Sequence, residues 1–114
     1  MDRNSILASK TIVTEPVEVS PWGGTVYIKS LNGVERVQFY EQVGRLAKDG
    51  EDGPERTTRI ALLLVIFALC DEHGNRILQP EDVDELAKHN GELLNGLCAV
   101  ANRLNKIGDD AKKK

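Results

Sequence analysis

The residues of this chain that could bind a metal or move a proton are few, and their spacing suits neither task. Cys70-x-x-His73 and the pair His89 and Cys98 have the residue types of a zinc site. Tetrahedral zinc modules space their ligands in close pairs that this arrangement does not reproduce, and Cys98 falls on the apolar side of a helical pattern. Asp71 to Asp82 has the outline of a calcium loop, with Asp71 first, Asn75 fifth and Asp82 twelfth. Such a loop needs glycine at its sixth place for the sharp turn, but Arg76 stands there and Gly74 comes early. Neither metal is expected, and no cofactor. Catalysis asks for a nucleophile beside a base, or an acid–base pair in a pocket. The two histidines lie in turns or at helix ends, outside any recognisable motif, and no Gly-rich phosphate loop follows a strand. The chain reads as a non-enzyme. Asp84-Glu85-Leu86-Ala87-x-x-x-Gly91 has the Ala-x-x-x-Gly spacing of a helix-turn-helix. Its would-be reading helix, Glu92 to Leu104, offers Leu, Cys, Val and Ala, with Arg103 as its only cation. Base edges and phosphates need polar and cationic side chains, so DNA binding is a weak reading.

Bulk properties narrow the field further. The formal charge is −3 and the pI about 5.4, with Lys and Arg scattered and not gathered into a stripe, so no footprint for nucleic acid appears. Lys112, Lys113 and Lys114 follow Asp109 and Asp110 and read as a solvated tail. The two cysteines sit in apolar helical stretches, where a reduced thiol behaves as a small hydrophobe. Met1 to Lys10 lacks the continuous apolar region of a secretory signal, which makes the cytoplasm the expected compartment. At 114 residues the chain is one domain, large enough for a core without staples. It divides into an arm at 1–14, an α+β domain at 15–108 and a tail at 109–114.

The elements that must position everything else centre on eleven consecutive apolar residues, Ile60 to Cys70. As a helix this run is only about 16 Å long against a hydrocarbon core of roughly 30 Å, so it does not span a membrane. At 100° per residue, Ile60, Leu63, Leu64 and Phe67 fall on one side and Leu62, Val65, Ile66 and Leu69 on the other. Ala61 and Ala68 share a flank where another helix can approach closely. Eight large side chains represent roughly 12–24 kcal/mol of gross transfer free energy, comparable with a domain's whole net stability of about 5–15 kcal/mol. Both faces must therefore be covered, the second either by the hairpin and last helix or by another chain.

Before this helix, Val17-Glu18-Val19 and Thr25 to Lys29 alternate around Pro21-Trp22-Gly23-Gly24, which predicts a β-hairpin. Val17, Val19, Val26 and Ile28 share its inner face, with Glu18, Tyr27 and Lys29 outside. Met1 to Thr14 shows no period beyond a short extended piece at Thr11 to Val13. Asn32 and Glu35 form a capping-box pair opening a helix whose stripe is Val34, Val37, Tyr40, Val43 and Ala47. Asp49 to Gly53 is a solvated loop, and Pro54 sits in the first turn of the apolar helix. Asp71 to Asn75 is a turn and Arg76 to Leu78 a short extended piece. Pro80-Glu81-Asp82 opens a fourth helix that ends at His89 to Gly91. The last helix, from Glu92 to about Ile107, carries Leu93, Leu97, Val100, Leu104 and Ile107 as one stripe. The fold class is α+β, an N-terminal β-hairpin packed on a bundle of about four helices with a central all-apolar helix.

This order of features resembles the tail assembly chaperones of long-tailed phages and prophages. The similar parts are the hairpin VEVSPWGGTVYIKSLNGVERVQFYE, the apolar helix running into ALCDEHGNRIL, the acidic opening PEDVDELAKHN and the ending LLNGLCAVANRLNKIG. Ala101-Asn102-Arg103-Leu104-Asn105 stands for an Ala-Xaa-Arg-Leu-Asn ending that recurs in such proteins. The resemblance implies a non-enzymatic assembly factor of the host cytoplasm. It would bind the tape measure protein, help recruit tail tube protein, and leave before the virion is complete. It also implies a second, longer product made by ribosomal frameshifting, for which the codons of Lys112 to Lys114 would fit an A-rich slippery run. The expected client or self-association surface is drawn from Leu62, Val65, Ile66 and Leu69, or from Leu93, Leu97, Val100 and Leu104 on the last helix, and a homo-oligomer is a further partner to test. Trp22 and the two cysteines have no assigned role. The alternatives are a small structural or oligomerisation subunit of a phage particle and, more weakly, the helix-turn-helix regulator.

Overall fold

A computed structural model describes residues 1–48 and 53–106. Of the loop expected at Asp49 to Gly53, residues 49–52 lie outside these residues and Gly53 belongs to the helix that follows; Ile107, the last residue of the expected C-terminal stripe, and the tail at 109–114 also lie outside them. In chain order the elements are α1 (Arg3–Ala8), β1 (Thr14–Val19), β2 (Gly24–Lys29), α2 (Gly33–Lys48), α3 (Gly53–Ala68), β3 (Leu69–Cys70), α4 (Val83–Leu86) and α5 (Gly91–Asn105). The strands form one antiparallel sheet in the order β1-β2-β3. A hairpin on helices gathered around an apolar one is the expected α+β architecture.

The hairpin closes where its alternation breaks. Ser20–Trp22 makes one 3-10 turn, and Gly23, at φ 75°, donates its N–H to the Ser20 carbonyl at 2.9 Å. That left-handed backbone suits glycine, which has no Cβ to clash. Val17 then stands opposite Val26, and Val17, Val19, Val26 and Ile28 face the core together. The other face is more covered than alternation suggests. Tyr27 is half-buried beside Cys70, and Lys29 reaches Glu35 at 2.7 Å as a largely buried ion pair.

The apolar run is not one helix to its end. It stays helical through Ala68, and Leu69 and Cys70 then leave it as β3, with Ile28 opposite Leu69 and Tyr27 opposite Cys70. A two-residue strand made of residues equally at home in a helix has no periodicity of its own; it forms because the edge of β2 needs a hydrogen-bonding partner. The turn after it is fixed by Asp71. Its carboxylate Oδ1 accepts the N–H groups of His73 (2.8 Å) and Asn75 (2.9 Å), and Gly74 takes φ 85°. These bonds, Asn75 first, hold the Asp71 carboxyl below the usual carboxylate range. Arg76 returns opposite Cys70 and lays its guanidinium 4.3 Å from the Phe67 ring centroid.

The helices around α3 follow local signals, with three departures. The Asn32–Glu35 capping box is present in both directions, at 3.1 and 2.8 Å. The stripe predicted for α2, however, faces outward at its start: Val34, Val37 and Tyr40 are exposed, whereas Phe39 is buried and Val43 and Leu46 pack on the core. A spacing of three falls 60° short of a full turn at each step, so between Val34 and Val43 the series crosses to the opposite side of the helix. The fourth helix is one 3-10 turn, Pro80–Asp82, plus the single turn of α4. Finally, the arm is not featureless. Asp2 caps α1 by accepting the Ser5 N–H at 2.8 Å, and Thr11 to Val13 is no strand, although Val13 exchanges hydrogen bonds with Ser30.

α5 closes the structure through one buried polar residue. Asn105 Oδ1 accepts the Leu31 N–H at 2.7 Å. Its Nδ2 donates to the carbonyls of Lys29 (3.3 Å) and Ala101 (3.0 Å). Arg36 Nη1 donates to the Asn105 carbonyl at 3.1 Å. One side chain thus ties the end of α5 to the β2–α2 connection. Removing its oxygen leaves the Leu31 N–H buried without a partner, which costs about 1–3 kcal/mol. Asn105→Ala should lower the unfolding free energy by that amount in denaturant titration; an unchanged midpoint would contradict the assignment. For Asp71 the sign is that of a depressed carboxylate: its contribution is complete above about pH 4, the ordinary aspartate value, and is lost as pH falls through its lower folded value. Asp71→Ala should therefore destabilise at neutral pH, and the difference from the parent should shrink in acid thermal melts. A difference that does not depend on pH would remove the carboxylate from the account.

Candidate functional site

None of the eight residues proposed from sequence as an interaction surface is exposed. Leu62, Val65, Ile66 and Leu69 are buried, as is Leu97, while Leu93, Val100 and Leu104 pack partly against the core. Both faces of α3 are covered by the chain's own elements, which resolves the alternative left open by its angular pattern. On the Phe67 side lies α2, whose Phe39 ring meets Phe67 edge-on with centroids 6.1 Å apart. On the alanine flank lies α5, close enough that the Cys98 thiol faces the Ala61 carbonyl at 3.8 Å. The most buried line of α5 is Leu94, Leu97, Ala101 and Asn105, rotated from the predicted Leu93–Leu104 stripe. The rotation was hidden because a small residue and an amide, Ala101 and Asn105, share the buried line with Leu94 and Leu97. Arg103, the one cation on α5, pairs with Glu15 at 2.6 Å.

The uncovered apolar surface is elsewhere. Val34, Val37 and Tyr40 are 68 %, 57 % and 50 % exposed along one side of α2. Gly44 follows on the same side, with open space where a Cβ would stand. The Tyr40 ring leans toward Phe39 at 5.6 Å and has the Arg36 guanidinium 5.9 Å from its centroid. Since Arg36 is itself bonded to the Asn105 carbonyl, Tyr40 is held against the fold while its outer face stays free. The result is a firm apolar strip with the polar Gln38, Glu41 and Arg45 exposed around it. This is a surface that a second amphipathic helix fits. Sequence reading placed these residues inside; the 60° drift of a three-residue spacing was the signal for the opposite assignment.

A second feature is a pocket of about 350 Å³ at the turn end of the hairpin, lined by Trp22, Val26, Leu69, Leu78, Leu86 and His89, with Asp82 and Glu85 at its rim. Trp22 Nε1 donates to His89 Nδ1 at 3.3 Å, with the rings at 86° to each other. The carboxylates are already engaged: Asp82 accepts the Gln79 N–H and Glu85 pairs with Lys88. Nothing here sets a nucleophile against a base. The thiols of Cys70 and Cys98 are pushed up by burial, which suits packing and not reactivity. Among the described residues no group of His, Cys, Asp and Glu is arranged to hold a metal ion, and no helix is long and apolar enough to cross a membrane.

Comparison with known proteins gives the family and supports the fold. The family described as phage tail assembly chaperone matches residues 3–114. The solved structure of the bacteriophage HK97 tail assembly chaperone aligns with a TM-score of 0.59 at 18 % sequence identity, covering 89 % of this chain and 90 % of that one. At that identity the likeness speaks for the fold. No similarity to a curated protein sequence is detected. Matched over nearly its whole length, the chain belongs to the phage tail assembly chaperone family.

Proposed function

We propose that this chain binds the tape measure protein through the α2 strip, keeps it soluble and helps bring tail tube protein to it, with no catalytic step. The observation that supports the reading is the pairing of a closed core with an open strip. All large residues of α3 from Leu62 onward are inside, whereas Val34, Val37 and Tyr40 stand in water. Single exposed apolar residues are ordinary, but a contiguous set on one helix is the kind of surface that partners cover. A long tail-length protein offers amphipathic helices as clients, and a strip flanked by mixed charge can hold such helices while the net charge of −3 keeps the complex soluble. The chaperone works in the host cytoplasm and leaves before the particle is complete. Should the same protein persist in purified particles, a structural subunit would be the better description. The longer product belongs to the same proposal; a coding sequence without a slippery heptamer near Lys112 to Lys114 would remove it.

Val37→Asp and Tyr40→Asp test the strip. Val37→Asp should move the unfolding free energy by no more than about 0.5 kcal/mol, whereas Tyr40→Asp, which also takes the ring away from Phe39 and Arg36, should cost about 1 kcal/mol. Co-expressed with the tape measure protein, the parent should raise the soluble fraction of that client and co-purify with it, and each variant should lose most of both effects. A parent with no effect on the client contradicts the function. Variants as effective as the parent move the binding surface away from α2.

A further inference from the structure

The contact between Trp22 and His89 takes no part in that reading, and it joins two places far apart in the chain. Trp22 closes the hairpin turn, whereas His89 stands in the corner between α4 and α5. The backbone on the His89 side is held from both directions. The His89 N–H donates to the Leu86 carbonyl at 3.1 Å, and the next residue, Asn90, caps α5 by accepting the N–H groups of Glu92 and Leu93. What can move there is the side chain, which is exposed. Its ring is also a shared wall. His89 lines the pocket beside Trp22 and a second hollow of about 380 Å³ between α3 and α5, and no other residue lines both.

An indole N–H can only donate, and a neutral imidazole has one nitrogen that can accept. The 3.3 Å bond from Trp22 Nε1 to His89 Nδ1 therefore belongs to the neutral ring, with its proton on Nε2. An imidazolium carries a proton on both nitrogens and has no lone pair to offer, so the bond cannot survive protonation. The charged ring has somewhere to go. Asp82 and Glu85 line the same pocket. Each already takes a bond, from the Gln79 N–H and from Lys88, but a carboxylate can accept several. The other neighbours add little charge. The hairpin and β3 contribute Trp22, Val26 and Leu69. From α3 come Thr57 and Thr58, with Arg59 beside them paired to Asp84. From α5 come Asn95 and Cys98, whose thiol is pushed up by burial, while Glu18 and Glu92 line a different groove. We propose that the Trp22–His89 contact is a pH-operated latch. Neutral His89 fastens the hairpin turn to the α4–α5 corner and keeps the two hollows apart. Protonated His89 lets go of Trp22, turns toward Glu85 and Asp82, and leaves the pocket beside Trp22 open to its neighbour.

The full chain has one tryptophan and two histidines, so each partner can be followed by its own signal in NMR. From about pH 8 to about pH 5, the indole N–H proton should move upfield and cross-relaxation between the Trp22 and His89 rings should disappear. Both changes should share the midpoint of the His89 ring's own titration. Acrylamide should quench Trp22 emission more strongly at the acid end. His89→Gln keeps a side-chain carbonyl that can accept from the indole but takes up no proton, and there every step should vanish. His73→Gln, which removes the other histidine, should leave every step in place. Both positions are exposed, and dispersed amide spectra check that the variants fold. The latch is overturned by ring contacts that persist while His89 titrates, by quenching that is equal at both ends, by steps that survive in His89→Gln, or by steps that are lost in His73→Gln.

Discussion

Large side chains at every angle prevent α3 from resting on a surface; it has to be enclosed, and the layout of the other elements follows from enclosing it. α2 brings Phe39 against Phe67, α5 lies along the alanine flank at Ala61, and the hairpin joins through Ile28, which stands opposite Leu69 as the helix turns into β3. α4 adds Leu86, and the turn after β3 brings Arg76 back over the Phe67 ring. Each of these elements is too short or too two-sided to be stable alone. A hairpin is marginal in water, and α4 is a single turn. Their stability is lent by the common core they cover.

Apolar enclosure is not selective, and polar contacts supply the register. Asn105 answers the buried N–H of Leu31 and reaches the Lys29 carbonyl, so α5 ends at one place relative to β2 and α2. Lys29 then pairs with Glu35, whose other oxygen takes the Asn32 N–H of the capping box. Strand end, helix start and the last turn of α5 are thus joined in one small network, and buried networks of this kind favour one arrangement only when every member is satisfied. The turn at Asp71 and the end of α5 at Asn105 are accounted for in the same way, by backbone groups that need partners.

Much of this was legible in the sequence. The hairpin face of Val17, Val19, Val26 and Ile28, the Asn32–Glu35 cap, the turn at Asp71 and the apolar helix all follow from local pattern, because each signal is repeated within a few residues. The exposed apolar strip was not legible, for a physical reason. α2 carries apolar residues on two sides, and periodicity reports that a side is apolar without saying whether a neighbour covers it. Phe39, one large ring, outweighs Val34 and Val37 in choosing which side turns in. On α5 the buried line includes Ala101 and Asn105, which a search for large aliphatic residues passes over. β3 was unreadable because two residues have no period.

α3 is therefore a closed interior and α2 carries an open apolar surface, and hydrogen exchange of the isolated chain at low concentration tests that division most directly. The amides of Leu62 to Ala68 should be among the last to exchange, at a rate unaffected by protein concentration or by added tape measure protein, while those of Val34 to Tyr40 should exchange sooner and gain protection when the client is added. Rapid exchange across Leu62 to Ala68 in the isolated chain, slowed only by concentration or by the client, would mean that the apolar helix itself is the shared surface, and would contradict the account.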